Sequence, residues 1–148
     1  MPKTVLFLCS GNYYRSRFAE ILFNALADKS RLNWRAVSRA LGEITGTWKT
    51  GPISPYAVEG LESRGIRHDE EHREPELCAR VDFESADLVI ALKESEHRPM
   101  IEKRFADCLH RVEFWHVHDV DHATPEEALP ELEQLVRSLV DRLSSPRG

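Results

Sequence analysis

A cysteine closes the first apolar run of the chain, and an arginine and a serine follow shortly after: Cys9-Ser10-Gly11-Asn12-Tyr13-Tyr14-Arg15-Ser16. These residue types in this order suit an anion and a nucleophile. A short turn from a strand into a helix can aim successive backbone N–H groups into one concavity, and the helix start adds partial positive charge. Gly11 and Asn12 are the types that accept the left-handed backbone such a turn requires. The same surroundings favour the thiolate of Cys9, the form that attacks electrophiles. Arg15 can offer a planar fork to two oxygens of a phosphate. The Ser16 hydroxyl is placed to hydrogen-bond the sulfur. Neither other cysteine has this context, since Glu84 and Phe114 stand where an arginine would follow Cys78 and Cys108.

Charge points the same way. The 148 residues carry a net −5, which argues against a nucleic-acid partner by bulk charge. The first 40 residues instead hold seven basic side chains (Lys3, Arg15, Arg17, Lys29, Arg31, Arg35, Arg39) against Glu20 and Asp28, a local balance of +5. That asymmetry suggests an anion site near the start of the chain. Three cysteines are too few, and odd in number, for a secreted disulfide framework, so a reducing, cytoplasmic setting is expected. The apolar runs Val5–Cys9 and Leu88–Leu92 fall far short of the ~20 residues of a membrane span, and no signal peptide or membrane association is expected.

The elements around the loop alternate. Thr4–Cys9 reads as a buried strand. Phe18, Ile21, Leu22, Ala25 and Leu26 then recur at helical spacing. Trp34–Ala40 reads as a second strand, and 41–53 as a loop. Ser54 suits an N-cap with Pro55 at the first helical position and Gly65 as the stop. The stretch 67–83 is polar and ambiguous. Asp87–Leu92 predicts a third strand, followed by a helix to about Phe105, and Val112–Val117 a fourth strand. Thr124-Pro125-Glu126-Glu127 is a capping-box signature for a last helix with Leu129, Leu132, Leu135, Leu139 and Leu143 on its apolar face. Alternating strands and helices imply one α/β domain over 1–148, its parallel sheet covered on both faces. Ligands on such folds sit beyond the carboxyl ends of strands, here after Cys9 and after Val117.

The loop resembles the signature of the low molecular weight protein tyrosine phosphatases, a near-N-terminal strand running into Cys-x-Gly-Asn-x-Cys-Arg-Ser-Pro. Cys9, Gly11, Asn12, Arg15 and Ser16 match it. Val37-Ser38, Trp48-Lys49-Thr50-Gly51, Gly65-Ile66, His72, Asp87-Leu88-Val89-Ile90 and Trp115 through Asp119 follow in family order. The resemblance implies a doubly wound four-stranded parallel sheet in the order 2-1-3-4, with helices on both faces. It implies a two-step mechanism with no metal and no cofactor, in which Cys9 forms a phosphocysteine. Arg15 and the loop residues Ser10, Gly11, Asn12, Tyr13, Tyr14 and Ser16 would hold the phosphate, and Trp48 would line the mouth. Ser38 and His72 would join Asn12 and Ser16 in supporting the loop, with His68 competing for the place of His72. The substrate would be a phosphorylated protein or a small aryl phosphate.

The family's general acid is an aspartate followed by proline, just past the fourth strand. Asp119 stands in register, with Val120 in place of proline, and Asp121 competes. His116, His118, Asp119, Asp121 and His122 also resemble the His-x-His-x-Asp-His pattern of metallo-β-lactamases, but with one residue too many before the Asp-His. The reading here is therefore a polar strand exit, with no metal.

Three positions depart from the pattern. Tyr14 replaces a second loop cysteine, which removes a protective disulfide partner for Cys9 unless Cys78 or Cys108 is near. Arg17 replaces a proline and would add charge at the mouth. Val120 would loosen the acid loop. Same-fold alternatives are a phosphoarginine phosphatase and an arsenate reductase, the latter requiring relay cysteines that Cys78 does not obviously supply. A pseudophosphatase that binds phosphate without turnover is the alternative from another class. The sequence does not set the oligomeric state.

Overall fold

The computed structural model describes residues 2–42, 44, 51–68, 73–120 and 122–144. The strands are β1 (Lys3–Cys9), β2 (Trp34–Ala40), β3 (Leu88–Ala91) and β4 (Val112–Phe114). The helices are α1 (Arg15–Lys29), α2 (Pro55–Glu62), α3 (Arg80–Ser85), α4 (Glu94–Phe105) and α5 (Pro125–Ser144). All strand pairs are parallel, and the sheet order is β2-β1-β3-β4. This is the doubly wound arrangement that the resemblance implies.

Side-chain alternation along β1 builds two cores. Val5, Phe7 and Cys9 face the layer made by α1, α2 and α5, whereas Leu6 and Leu8 face the layer made by α3 and α4. β1 is flanked by a strand on each side and covered on both faces, so an uninterrupted apolar run is what its position requires. Each fully buried Leu or Phe contributes about 1.5–3 kcal/mol relative to exposure. The strand is thereby held rigid up to Cys9, where the loop begins.

Local signals set the other ends. Ser54 caps α2, its Oγ accepting the Tyr56 N–H at 3.2 Å. Gly65 takes the left-handed φ of 69° beyond that helix, although the helix itself stops earlier, at Glu62. Glu127 accepts the Thr124 N–H at 3.1 Å at the start of α5. The fourth strand is shorter than the predicted 112–117. After Phe114 the chain leaves the ladder, and His116 makes only an isolated antiparallel bridge with Lys93. The ambiguous 67–83 stretch ends in the short helix α3, with Phe83 as its buried anchor. No described helix is long and apolar enough to cross a membrane.

Candidate active site

The loop after β1 is fastened by its carbonyls. Those of Cys9 and Ser10 accept the N–H groups of Leu41 and Gly42, both at 2.8 Å. Those of Tyr13 and Tyr14 accept from Ser54 at 2.9 Å and Phe18 at 3.0 Å. Asn12 takes the left-handed conformation, with φ 50°. Four carbonyls of the turn are thereby committed to neighbouring backbone, an arrangement in which successive N–H groups can be aimed at the concave side.

Asn12 is fully buried and holds the loop's hydrogen-bond network. Its Nδ2 donates to Ser16 Oγ and Ser38 Oγ, both at 2.9 Å. Its Oδ1 accepts from Arg73 at 2.9 Å and from the Glu76 N–H at 3.0 Å. Ser16 Oγ lies 3.0 Å from Cys9 Sγ. Because Asn12 already donates to that oxygen, the Ser16 hydroxyl proton is available to the sulfur. The Ser38 hydroxyl donates to Glu20 at 2.5 Å, and Arg73 closes the circuit on Glu20 at 3.1 Å and on Ser38 Oγ at 2.9 Å.

A cavity of about 50 Å³ opens over the loop, lined by Cys9, Gly11, Tyr13, Tyr14, Arg15 and Asp119. Arg15 is 1% exposed. Its Nη1 donates to the Val117 carbonyl at 3.0 Å, and its guanidinium also meets Glu96 and, at 3.5 Å from Nη2, Asp119 Oδ2. Burial disfavours the guanidinium charge, but the neighbouring Cys9, Glu96 and Asp119 outweigh it and raise the Arg15 pKa. Asp119 reaches the cavity from the chain that continues past β4, and the N–H of Val120 donates to its Oδ1 at 2.9 Å.

Several expected residues sit elsewhere. The Ser10 side chain turns away from the cavity toward Glu96, His97 and Met100. Asn12 and Ser16 lie beneath the loop and support it. Trp48, His72 and Asp121 lie outside the described residues. His68 pairs with Glu62 at 3.1 Å and lines a separate groove of about 550 Å³ beside α1 that contains no nucleophile. Arg17 is no open charge at the mouth. It is fully buried and donates to the Pro52 carbonyl at 3.1 Å, because the third residue of α1 faces the packed interior. The +5 of the first 40 residues is also dispersed: Arg35 pairs with Asp28, Arg39 meets Glu76 and Asp82, and only Arg15 among the seven lines the cavity.

Tyr14 is buried, its ring against Tyr56 at 6.3 Å. Burial, then the charge of Asp119, pushes its hydroxyl up to about 12. The His116 and His118 rings meet edge-on and those of His118 and His122 at a tilt, with centroids 4.9 and 5.8 Å apart, but no group of three or more His, Cys, Asp or Glu among the described residues could hold a metal ion. The three thiols are free and buried. Cys9 belongs to one core layer, and Cys78 and Cys108 to the other.

Four contributors went unread in the sequence: Glu20, Arg73, Glu96 and His97. Glu20 left a signal, since it lies one helical turn after Ser16 and is one of two acids in a basic segment. Arg73, Glu96 and His97 are brought in by tertiary folding and left none.

Known proteins are similar to this chain in sequence and fold. Residues 4–146 match the model of the low molecular weight phosphotyrosine protein phosphatase family. A protein-arginine-phosphatase of Bacillus subtilis (strain 168) is 30% identical, over 97% of this chain and 98% of its own. A low molecular weight phosphotyrosine protein phosphatase of Sus scrofa is 30% identical over 80% of this chain and 74% of its own. Among solved structures, the low molecular weight protein tyrosine phosphatase from T. tengcongensis superposes with a TM-score of 0.79 at 28% identity, covering 95% of this chain and 99% of that one. Matched over nearly its whole length, the chain belongs to the low molecular weight phosphotyrosine protein phosphatase family.

Proposed function

We propose that the protein hydrolyses phosphotyrosine-type monoesters through a phosphocysteine on Cys9. The observation that carries this reading is the convergence of Cys9, Arg15 and Asp119 on one small cavity over the loop that follows β1. A phosphoryl group seated there has its phosphorus over Cys9 Sγ. The thiolate attacks in line, and the S–P bond forms as the P–O bond to the phenol breaks. The loop amides and Arg15 hold the equatorial oxygens as charge spreads over them. Asp119 protonates the departing phenolate oxygen. It then takes a proton from a water that attacks phosphorus, releasing inorganic phosphate and restoring the thiolate. The Ser16 hydroxyl, 3.0 Å from Sγ, stabilises the thiolate before attack and as the leaving group of the second step.

Turnover of an aryl phosphate by wild type, Cys9→Ser and Asp119→Asn tests this. Cys9→Ser should abolish turnover, and Asp119→Asn should lower kcat roughly 10²–10⁴-fold. Wild type that binds vanadate without turnover would make the protein a phosphate-binding pseudophosphatase.

A second substrate class has support of its own. The relative named a protein-arginine-phosphatase matches nearly the full length of both chains. Paired assays on phosphotyrosine and phosphoarginine peptides of one sequence separate the two, and kcat/KM names the substrate.

A further inference from the structure

We infer that Glu96 is a positioning residue for Arg15: its carboxylate grips one edge of the guanidinium from outside the cavity and thereby turns the other edge toward the phosphoryl group. This inference rests on the proposed roles of Cys9 and Arg15 and adds a part that those roles do not supply.

Arginine has five N–H donors in a planar fork. Glu96, in the first turn of α4, takes the Nη1–Nη2 edge, with Oε2 at 2.9 Å from Nη2 and Oε1 at 3.3 Å from Nη1. A second Nη1 donor bond goes to the Val117 carbonyl. The edge left for two phosphoryl oxygens is Nε with the remaining N–H of Nη2, the one that now faces Asp119 at 3.5 Å. Glu96 does not line the cavity, whereas Arg15 does. The carboxylate therefore stands beside the phosphate position and not in it.

Glu96 is itself held. The Ser10 hydroxyl donates to its Oε2. His97 Nε2 lies 3.1 Å from Ser10 Oγ and 3.3 Å from Glu96 Oε2. His97 Nδ1 accepts the Lys93 N–H at 3.0 Å, which leaves Nε2 as the protonated nitrogen of a neutral ring. Burial, aided by the charge of Arg15, favours that neutral ring. Donors thus run from His97 to Ser10 to Glu96 on one side and from Arg15 on the other. They offset the burial of the Glu96 carboxyl and keep it ionised well below the usual carboxylate range. A carboxylate fixed by this chain fixes the plane of the guanidinium, a geometry on which in-line transfer depends.

The test uses the full chain as wild type, Glu96→Ala and Glu96→Gln. Glu94→Gln is the control: Glu94 lies in the same turn, is exposed and pairs with Arg98. The readouts are kcat and KM on an aryl phosphate, with inhibition by inorganic phosphate and by vanadate. Glu96→Ala should lower kcat roughly 10–100-fold while KM stays within about threefold, and Glu96→Gln should fall between it and wild type. Vanadate, which adopts the five-coordinate geometry, should weaken more than phosphate. Glu94→Gln should match wild type in every readout. A Glu96→Ala variant with wild-type kcat, or with tighter phosphate binding and a higher kcat, overturns the inference. Wild type without turnover would instead remove the reading of Cys9, and the vanadate affinities would still decide the role of Glu96.

Discussion

The backbone N–H of Val120 donates to Oδ1 of Asp119 at 2.9 Å, while Oδ2 of the same carboxylate faces Arg15 Nη2 at 3.5 Å. A proline at position 120 has no N–H and makes the first contact impossible. Val120 therefore ties the carboxylate to its own backbone, a contact to be given up if Asp119 turns toward a leaving group. Val120→Pro is expected to raise kcat on phosphate esters with poor leaving groups by roughly fivefold, the equivalent of about 1 kcal/mol of released hydrogen bond. Activated aryl esters should respond less. A fall in kcat with unchanged melting temperature would mean that the amide holds Asp119 in its working position.

Asn12 satisfies four partners at once: Ser16, Ser38, Arg73 and the Glu76 amide. Asn12→Ala leaves these groups unpaired, at roughly 1–3 kcal/mol for each that stays buried, and places alanine at a left-handed φ. Urea unfolding should show a loss of several kcal/mol, and any folded fraction should have reduced kcat. Wild-type stability in this variant would mean that Asn12 does not hold the loop together.

Stability should fall with acid in two stages. His97 has its folded pKa lowered below the ordinary 6.5, by burial first, and Glu96 is held below the ordinary 4.5 by donors that outweigh burial. In each window between folded and unfolded values the unfolded chain binds more protons, so stability is full above the unfolded value and declines as pH drops. Urea midpoints should be flat above pH 6.5, decline below it, and decline further below pH 4.5. His97→Asn should shrink the first stage, leaving the share of His118, whose folded pKa is also lowered. If that variant keeps the same profile as wild type, the His97 ring is not the group responsible.

Oxidation should inactivate the protein without a disulfide to Cys9. Tyr14 occupies the position of a second loop cysteine, and the other thiols lie in the opposite core layer. Burial pushes the Cys78 thiol up to about 12, so it is no reactive partner at neutral pH. Peroxide treatment followed by peptide mapping should find oxidised Cys9 and no cross-link. Full recovery through a mapped Cys9–Cys108 bond would contradict this.

The sheet was largely legible because β1 and β3 are apolar runs and β2 alternates between buried and more exposed residues. The β4 region was overextended, because Trp115 and Val117 keep an apolar alternation after the chain has left the ladder, with only their N–H groups returning to Ala91 and Leu92. The short α3 has one buried anchor, Phe83, which is too little for a helical period. At the site, Cys9, Asn12, Arg15 and Ser16 share one loop, and local spacing reveals them. Glu96 and Arg73 act across long separations that only folding sets. Arg17 was misjudged because position in the sequence near a phosphate loop says nothing of which helix face a side chain occupies.

The most direct measurement is mass analysis of the Cys9 peptide after rapid acid quench of wild type turning over an aryl phosphate. One phosphoryl group on Cys9, absent from Cys9→Ser, is the expected result. Sustained phosphate release with an unmodified Cys9 at every quench time, or a phosphoryl group on another residue, would contradict the cysteine mechanism.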